Sequence, residues 1–211
     1  MGKQKRHVYQ SISNDPVIQH KIDTWTEQLS VTLKPGRFEH SLSVARTSTH
    51  LAGIHGIDIL RAEQAGLLHD CAKYLPLDEM RIIAVEHNLT DDETILSNRG
   101  LLHAIVGAWV AENNYGMTDS QVLDAIRYHT TGCVGMSRLS MCVCLADTIE
   151  PLREEFPLLD RIRELSEKSL ERALLLSLEG TADYVTSKSW FLHPLTQETI
   201  RWLKTLPGIQ V

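Results

Sequence analysis

The sequence predicts an all-α protein with one main domain, and three observations carry that prediction. The chain has 211 residues, with 43% hydrophobic and 23% charged residues, which suffices for one substantial core. Its apolar residues recur at the 3.6-residue spacing of helices from about residue 22 onward. No stretch shows the strict alternation of a half-buried strand. A helical bundle is the simplest fold that fits all three.

The N-terminal part differs from the rest in its pattern. Residues 1–21 are polar, lack periodicity and contain Asn14-Asp15-Pro16. We therefore expect a flexible N-terminal extension over residues 1–21 and a folded domain over residues 22–211. The extension is not expected to contribute to the core.

The helices can be placed from their apolar stripes and their end signals. Phe38, Leu42 and Ala45 share one face of a helix that should end near Gly56. Asp58 is the expected N-cap of the next helix. The remaining helices are expected over about 78–87, around His103 up to Gly116, from Thr118 or Asp119 to Gly132, from Leu139 to Asp147, over 158–188 and after Pro194.

Charge and cysteine content narrow the functional classes. A net charge of −6 argues against binding a nucleic-acid polymer, although local cations still allow a small anionic substrate. The four cysteines form no Cys-x-x-Cys pair, which favours free thiols in a reducing compartment. No secretory signal or membrane-spanning run is apparent, so we expect a cytoplasmic protein without membrane attachment.

Six histidines and aspartates stand on the inward sides of separate predicted helices. A lone histidine on an apolar face is more often a hydrogen-bonded core residue than a ligand. Six such groups in one small domain would each need a partner of their own, whereas a shared cation satisfies all of them. The six are His40, His69, Asp70, His103, His129 and Asp147.

This ligand set indicates the kind of metal. Imidazole and carboxylate ligands without thiolate suit manganese, iron or zinc and disfavour calcium. More than four candidates indicate an open site or two metals bridged by Asp70. Arg37 and Lys73 each lie about one helical turn from a ligand and could bind an anion. The segment Thr130-Thr131-Gly132 could contact a phosphate or simply end a helix.

The pattern His40, His69-Asp70 and Asp147 resembles the HD-domain superfamily of metal-dependent phosphohydrolases. Five segments together resemble the bacterial YqeK family of that superfamily, whose members split diadenosine tetraphosphate symmetrically into two ADP. The resemblance implies an HD-domain helical bundle and a symmetrical bis(5′-nucleosyl)-tetraphosphatase activity. The segments are Arg37 to Leu42, Ala65 to Lys73, Leu102 to Ala104, Ala125 to Gly132 and Ala146 to Pro151.

The resemblance also implies roles for individual residues. His40, His69, Asp70 and Asp147 would bind iron or a similar metal. His103 and His129 would hold a second metal or contact phosphate, and Asp70 and Lys73 would be catalytic. The expected substrate contacts are Arg37, Lys73, His103, His129, Thr130, Thr131, Arg153, His193 and Pro194.

Two rival functions remain open at this point. One is another HD-domain nucleotide phosphohydrolase, acting on deoxynucleotides, cyclic nucleotides or guanosine polyphosphates. The other is a non-catalytic nucleotide-binding regulator with a structural metal. The expected partners are a dinucleoside polyphosphate substrate, its ADP product and a second copy of the chain in a possible homodimer.

Overall fold

The structure, a computed structural model, describes residues 9–209. This part of the chain contains helices and connecting turns and no strand, as the apolar periodicity predicted. The helices are α1 (Pro16–Thr32), α2 (Pro35–His55), α3 (Ile59–Leu68), α4 (Leu77–Glu86), α5 (Glu93–Leu96), α6 (Arg99–Tyr115), α7 (Ser120–Tyr128), α8 (Arg138–Ile149), α9 (Leu159–Ser166), α10 (Leu170–Ser187) and α11 (Pro194–Leu203).

Local end signals fix several of these helices where the sequence predicted them. Asp58 and Asp119 accept hydrogen bonds from backbone N–H groups in the first turns of α3 and α7. Gly56 and Gly116 follow α2 and α6 in the left-handed conformation, which costs glycine little. None of the described helices is long and apolar enough to cross a membrane.

The close packing of α2 against α3 sets the position of the central histidines. A Cβ atom at Gly66 would lie 2.9 Å from Ala45 Cα and 2.8 Å from Ser48 Oγ. Only glycine therefore allows the two helix backbones to approach this closely. The contact brings His40, in the second turn of α2, beside His69 at the end of α3.

The prediction of a single helix over residues 158–188 is wrong. The structure divides this stretch into α9 and α10, and the break lies at residues 167–169. Ser169 adopts an extended backbone, and its side chain accepts a hydrogen bond from the Arg172 N–H. The serine therefore acts as an N-cap, although its spacing also fits the inward face of one long helix.

Residues 9–21 are more ordered than the sequence suggested. Helix α1 begins at Pro16, with Asp15 as its N-cap, so the expected boundary at residue 21 falls inside a helix. Tyr9 and Ser11 are buried and donate hydrogen bonds to the carboxylate of Glu63 on α3. This buried carboxylate needs donors, which explains why a polar segment packs on the domain. The division at residue 21 stays a prediction, and its residues 1–8 lie outside the described part.

Candidate metal centre

Five segments of the chain deliver the six predicted ligands to one place. His40 lies in α2, His69 and Asp70 directly follow α3, and His103 lies in α6. His129 directly follows α7, and Asp147 lies near the end of α8. All four histidines and Asp70 are buried, whereas Asp147 is partly exposed. Side chains far apart in sequence thus form one cluster.

One half of this cluster faces the Oδ2 atom of Asp70. Arg37 Nη1 lies 2.8 Å from this oxygen, His69 Nε2 3.5 Å and His40 Nε2 3.9 Å. Asp147 Oδ1 closes this half, at 2.9 Å from His40 Nε2 and 3.8 Å from His69 Nε2. Atoms of His40, His69 and Asp147 lie close enough together to hold one metal ion.

The other half of the cluster faces the Oδ1 atom of Asp70. His103 Nε2 lies 3.2 Å from this oxygen, His129 Nε2 3.7 Å and Lys73 Nζ 3.9 Å. The Thr130 Oγ1 atom lies 3.5 Å from His103 Nε2. His69, Asp70 and His129 form a second group with metal-ligand spacing. Asp70 therefore stands between two candidate ion positions.

For two of the histidines, a hydrogen bond made by Nδ1 fixes which ring nitrogen faces the centre of the cluster. His69 Nδ1 lies 2.7 Å from the Gly66 carbonyl, and His129 Nδ1 lies 2.7 Å from the Ile126 carbonyl. A carbonyl only accepts hydrogen bonds, so each Nδ1 carries the proton. In the neutral ring Nε2 then presents a lone pair toward the cluster.

His40 is oriented in the same way by a carboxylate. Its Nδ1 lies 3.0 Å from Glu150 Oε1, and Glu150 Oε2 accepts a hydrogen bond of 2.6 Å from the Leu152 N–H. The sequence pattern indicated no role for Glu150. The available signal was its place three residues after Asp147, which is one turn along the same face as a predicted ligand.

The arrangement of lone pairs tests whether a metal fits. His40 Nε2 and His69 Nε2 lie 3.3 Å apart, and both face Asp147 Oδ1. When both rings are neutral and the Nδ1 protons are placed as above, three acceptor atoms point at one another without a hydrogen between them. A divalent cation satisfies all three at once, so the donor set fits a metal.

Burial and neighbouring charge shift the acid–base properties of these groups. Burial opposes ionisation of Asp70, but His69 and His103 hold its pKa well below the usual range. Burial, together with His103 and His69, lowers the pKa of His129 to about 3. The centre therefore combines an ionised carboxylate with an imidazole that stays neutral, and both are the ligand forms that bind metal.

Four of the predicted substrate contacts surround the cluster. Arg37 and Lys73 lie on opposite sides of Asp70, and Thr130 lies beside His103. The Arg153 Nη1 atom is 4.0 Å from Asp147 Oδ1, and its side chain is 42% exposed. Three cations thus lie within reach of an anion bound at the centre.

Three further predicted substrate contacts are engaged elsewhere, whereas His103 and His129 belong to the cluster itself. His193 Nε2 pairs with Asp92, and its Nδ1 accepts a hydrogen bond from the N–H of Leu195. Pro194 begins α11. The hydroxyl of Thr131, which is buried, donates to the carbonyl of Gly132. The structure gives these three residues roles at helix ends and turns, and their contact with substrate stays a prediction.

Comparison with known proteins places this cluster within a family. Residues 37–152 match the HD domain family, and this stretch contains all six clustered residues. The chain is 38% identical over 167 residues to the symmetrical bis(5′-nucleosyl)-tetraphosphatase of Bacillus subtilis (strain 168), covering 79% of this chain and 89% of that protein. It is 34% identical over 168 residues to the protein of the same name from Staphylococcus aureus, covering 79% and 86%.

A solved structure agrees with the sequence relatives. The crystal structure of a predicted HD superfamily hydrolase involved in NAD metabolism, from Clostridium acetobutylicum, superposes with a TM-score of 0.80. That chain is 37% identical, and the match covers 86% of this chain and 96% of that one. The similarity extends well beyond the ligand segments.

Proposed function

Because this chain belongs to the HD-domain family and, within it, to the symmetrical bis(5′-nucleosyl)-tetraphosphatases, we propose that it is a hydrolase that splits diadenosine tetraphosphate and related dinucleoside polyphosphates into two ADP. The observation that carries this function is the division of the cluster by Asp70. Each oxygen of Asp70 faces histidines and one cationic side chain. A symmetrical substrate with a central phosphoric anhydride suits a centre with two such halves.

The metal would be held by two overlapping groups of residues. His40, His69 and Asp147 form one group, and His69, Asp70 and His129 form the other. A divalent transition metal bound here supplies positive charge to the phosphates and lowers the pKa of water. The mixed nitrogen and oxygen donors suit iron, with manganese or another divalent transition metal as the alternative.

The chain's own residues would bind and orient the phosphates. Arg37 and Arg153 approach from the Asp147 side, and Lys73 approaches from the opposite side. These cations neutralise the charge that develops on both ADP groups. Arg99 anchors the turn that carries Lys73, because its guanidinium donates to the carbonyls of Lys73 and Leu75.

The neighbouring thiol is not suited to act as a nucleophile. Cys71 is fully buried, and burial raises the pKa of its thiol far above the usual value. Its Sγ donates to the Gly107 carbonyl at 3.3 Å. A thiol that stays protonated attacks poorly, so Cys71 contributes to packing.

Product analysis tests the proposed reaction. The purified protein, loaded with iron or manganese, is incubated with diadenosine tetraphosphate, and the nucleotides are separated by chromatography. ADP as the only product supports symmetrical cleavage, whereas ATP with AMP contradicts it. A panel of deoxynucleotides, cyclic nucleotides and guanosine polyphosphates tests the rival hydrolases. A protein that binds nucleotides but cleaves none of them would be a regulator.

The identity of the metal, the cellular location and the oligomeric state each have a separate test. Metal analysis of freshly purified protein tests iron against manganese. Cell fractionation tests the cytoplasmic location, which the four free cysteines support. Size-exclusion chromatography with light scattering tests the homodimer.

A further inference from the structure

The end of helix α8 is buried, and its last carbonyl groups lie beyond the hydrogen-bond ladder of the helix. Ile149, the last residue of α8, is 6% exposed, and Glu150, which follows it, is 1% exposed. Carbonyls at the C-terminus of a helix lack the N–H groups that a longer helix would supply. A buried carbonyl without a donor costs free energy, so this end of α8 needs donors from another part of the chain.

Arg163, on α9, supplies these donors. Its Nε donates to the Ile149 carbonyl at 3.1 Å, and its Nη2 donates to the Glu150 carbonyl at 3.2 Å. Its Nη1 lies 3.8 Å from Glu155 Oε1 and 3.8 Å from Asp160 Oδ1. All three guanidinium nitrogens thus have partners. Because the guanidinium is planar and rigid, these contacts hold α9 and the end of α8 in one relative position.

Helix α9 is a firm support for this guanidinium. Leu159 and Ile162 are fully buried on its inner face. The Nε2 atom of His55, the last residue of α2, lies 2.6 Å from the Ser166 carbonyl. A carbonyl only accepts hydrogen bonds, so the imidazole donates this one. Helix α9 is therefore tied to α2, the helix that also carries His40.

The turn that follows α8 carries two side chains that face the metal centre. The carboxylate of Glu150 contacts His40 Nδ1 at 3.0 Å. Arg153, three residues later, lies 4.0 Å from Asp147 Oδ1. The Arg153 N–H donates to the Glu150 carbonyl, which Arg163 also holds. A displacement of this one carbonyl would therefore disturb both the support of His40 and the position of Arg153.

Side-chain packing restrains this turn only weakly. Glu150 and Arg153 line a cavity of about 950 Å³. Ile149 and Pro151 line a second cavity of about 640 Å³, and Leu152 lines both. Residues 151–153 are all exposed, and Leu152 is 61% exposed. A segment with so few buried contacts depends on its hydrogen bonds for a fixed position.

We propose that Arg163 is a positioning residue of the hydrolase: it holds the end of α8 so that Glu150 orients His40 and Arg153 faces the phosphates. The part that concerns Arg153 rests on the proposed function, because it is measured with a nucleotide. The part that concerns His40 is measured as metal affinity, without substrate. Arg163 contacts main-chain carbonyls and two exposed carboxylates, so it acts on the centre through the turn.

A series of single and double variants tests this route. Arg163→Met removes the guanidinium and keeps the apolar stem, and Arg161→Met, at an exposed position of the same helix, is the matched control. Metal affinity is measured by competition with a chelator, and KM and kcat are measured with diadenosine tetraphosphate at saturating metal. Thermal unfolding is followed on the same preparations. Arg163→Met is then combined with Glu150→Ala and, separately, with Arg153→Met.

Arg163→Met should weaken metal affinity about tenfold and raise KM about three- to tenfold, because His40 and Arg153 lose their fixed positions. Arg161→Met should match the wild type. Added to Glu150→Ala, Arg163→Met should weaken metal affinity no further, and added to Arg153→Met it should raise KM no further. A residue that only stabilises the fold would give losses that add in full, and that result overturns the proposal. Wild-type metal affinity and KM in a folded Arg163→Met protein overturn it as well.

A conservative variant keeps the test decisive if Arg163→Met does not fold. Arg163→Lys keeps the charge but replaces the fork with a single point donor, so its losses should be smaller and in the same direction. For this variant too, losses that persist in full beside Glu150→Ala overturn the proposal. If the wild type binds metal but cleaves no nucleotide, the proposed function fails, and the metal affinities still decide whether Arg163 positions His40.

Discussion

Two buried carboxylates, seven residues apart on the same stretch of chain, have opposite surroundings. Glu63 has no exposed surface and accepts hydrogen bonds from Tyr9 Oη at 3.0 Å, Ser11 Oγ at 2.7 Å and the Ile12 N–H at 3.0 Å. Asp70 is 2% exposed and faces imidazoles, a guanidinium and an ammonium instead.

The difference separates a carboxylate of the fold from the one that we propose binds metal. Neutral donors from the chain itself satisfy Glu63, so it has no need of an outside cation. The partners of Asp70 are groups that can bind or exchange a metal and a substrate. Here the carboxylate satisfied by fixed neutral donors contributes to the fold, whereas the one surrounded by titratable and cationic groups lies at the proposed reaction centre.

The largest effect expected from this comparison is on activity. Asp70→Ala removes the carboxylate between the two ligand groups, so metal content should fall, and turnover should fall by a factor of roughly a thousand or more. The fold should survive, because Arg37 and Lys73 remain in contact with water. The measurement pairs metal analysis with kcat. Full metal occupancy and normal turnover in Asp70→Ala would show that the centre is misassigned.

The matching change removes the partners of Glu63 and should act on stability. Deleting residues 1–12 removes all three hydrogen-bond donors to Glu63 and the burial of Tyr9, which together should lower the free energy of unfolding by about 3 kcal/mol. Denaturant unfolding measures this loss, and metal content of the remaining folded protein should be normal. Deletion of residues 1–8 keeps the three donors and is the control. Equal stability of the two truncated proteins would contradict the structural role of Glu63.

These two carboxylates also show how far the sequence could predict the structure. Asp70 was identified because a histidine precedes it and similar groups recur on other helices. Glu63 could not be identified in this way, because it lies on a helix with ordinary helical spacing and its partners are 51 to 54 residues away. Long-range pairing of neutral donors leaves no periodic trace in a sequence.

The helices were predictable to a similar degree and for similar reasons. Asp58, Asp119 and Gly116 predicted helix ends correctly, because a cap depends only on residues close to it in the sequence. Ser169 did not, since a serine can cap a helix or face the interior of one, and only the packing of α9 against its neighbours decides. The role of Glu150 was missed because it depends on His40, 110 residues away.

A smaller effect is expected at the rim of the metal centre. Lys73 lies 3.9 Å from Asp70 Oδ1, and its side chain is 21% exposed. Lys73→Met keeps most of the apolar stem and removes the charge that would contact a phosphate. We expect kcat to fall on the order of a hundredfold, with metal content and melting temperature nearly unchanged. Lys168→Met, at an exposed position, is the control. Unchanged kcat would make Lys73 an ordinary surface charge.

The smallest effect, on metal affinity, is expected at Glu150, whose surroundings are intermediate between those of Glu63 and Asp70. It is buried like Glu63, yet one of its oxygens holds the Nδ1–H of His40 and the other holds the Leu152 N–H in the turn before Arg153. Glu150→Ala should therefore weaken metal affinity, measured by competition with a chelator, by about 10- to 100-fold, because His40 loses its fixed orientation.

Glu150→Gln separates the two hydrogen bonds of this residue. The glutamine keeps the shape and a single acceptor oxygen, so it can hold either His40 or the Leu152 N–H but not both. If the oxygen stays on His40, metal affinity should recover most of the loss seen in Glu150→Ala, while the KM for diadenosine tetraphosphate should rise because the turn before Arg153 is released. Metal affinity and KM that both remain at wild-type values in Glu150→Ala would remove Glu150 from the centre and leave it, like Glu63, a carboxylate of the fold.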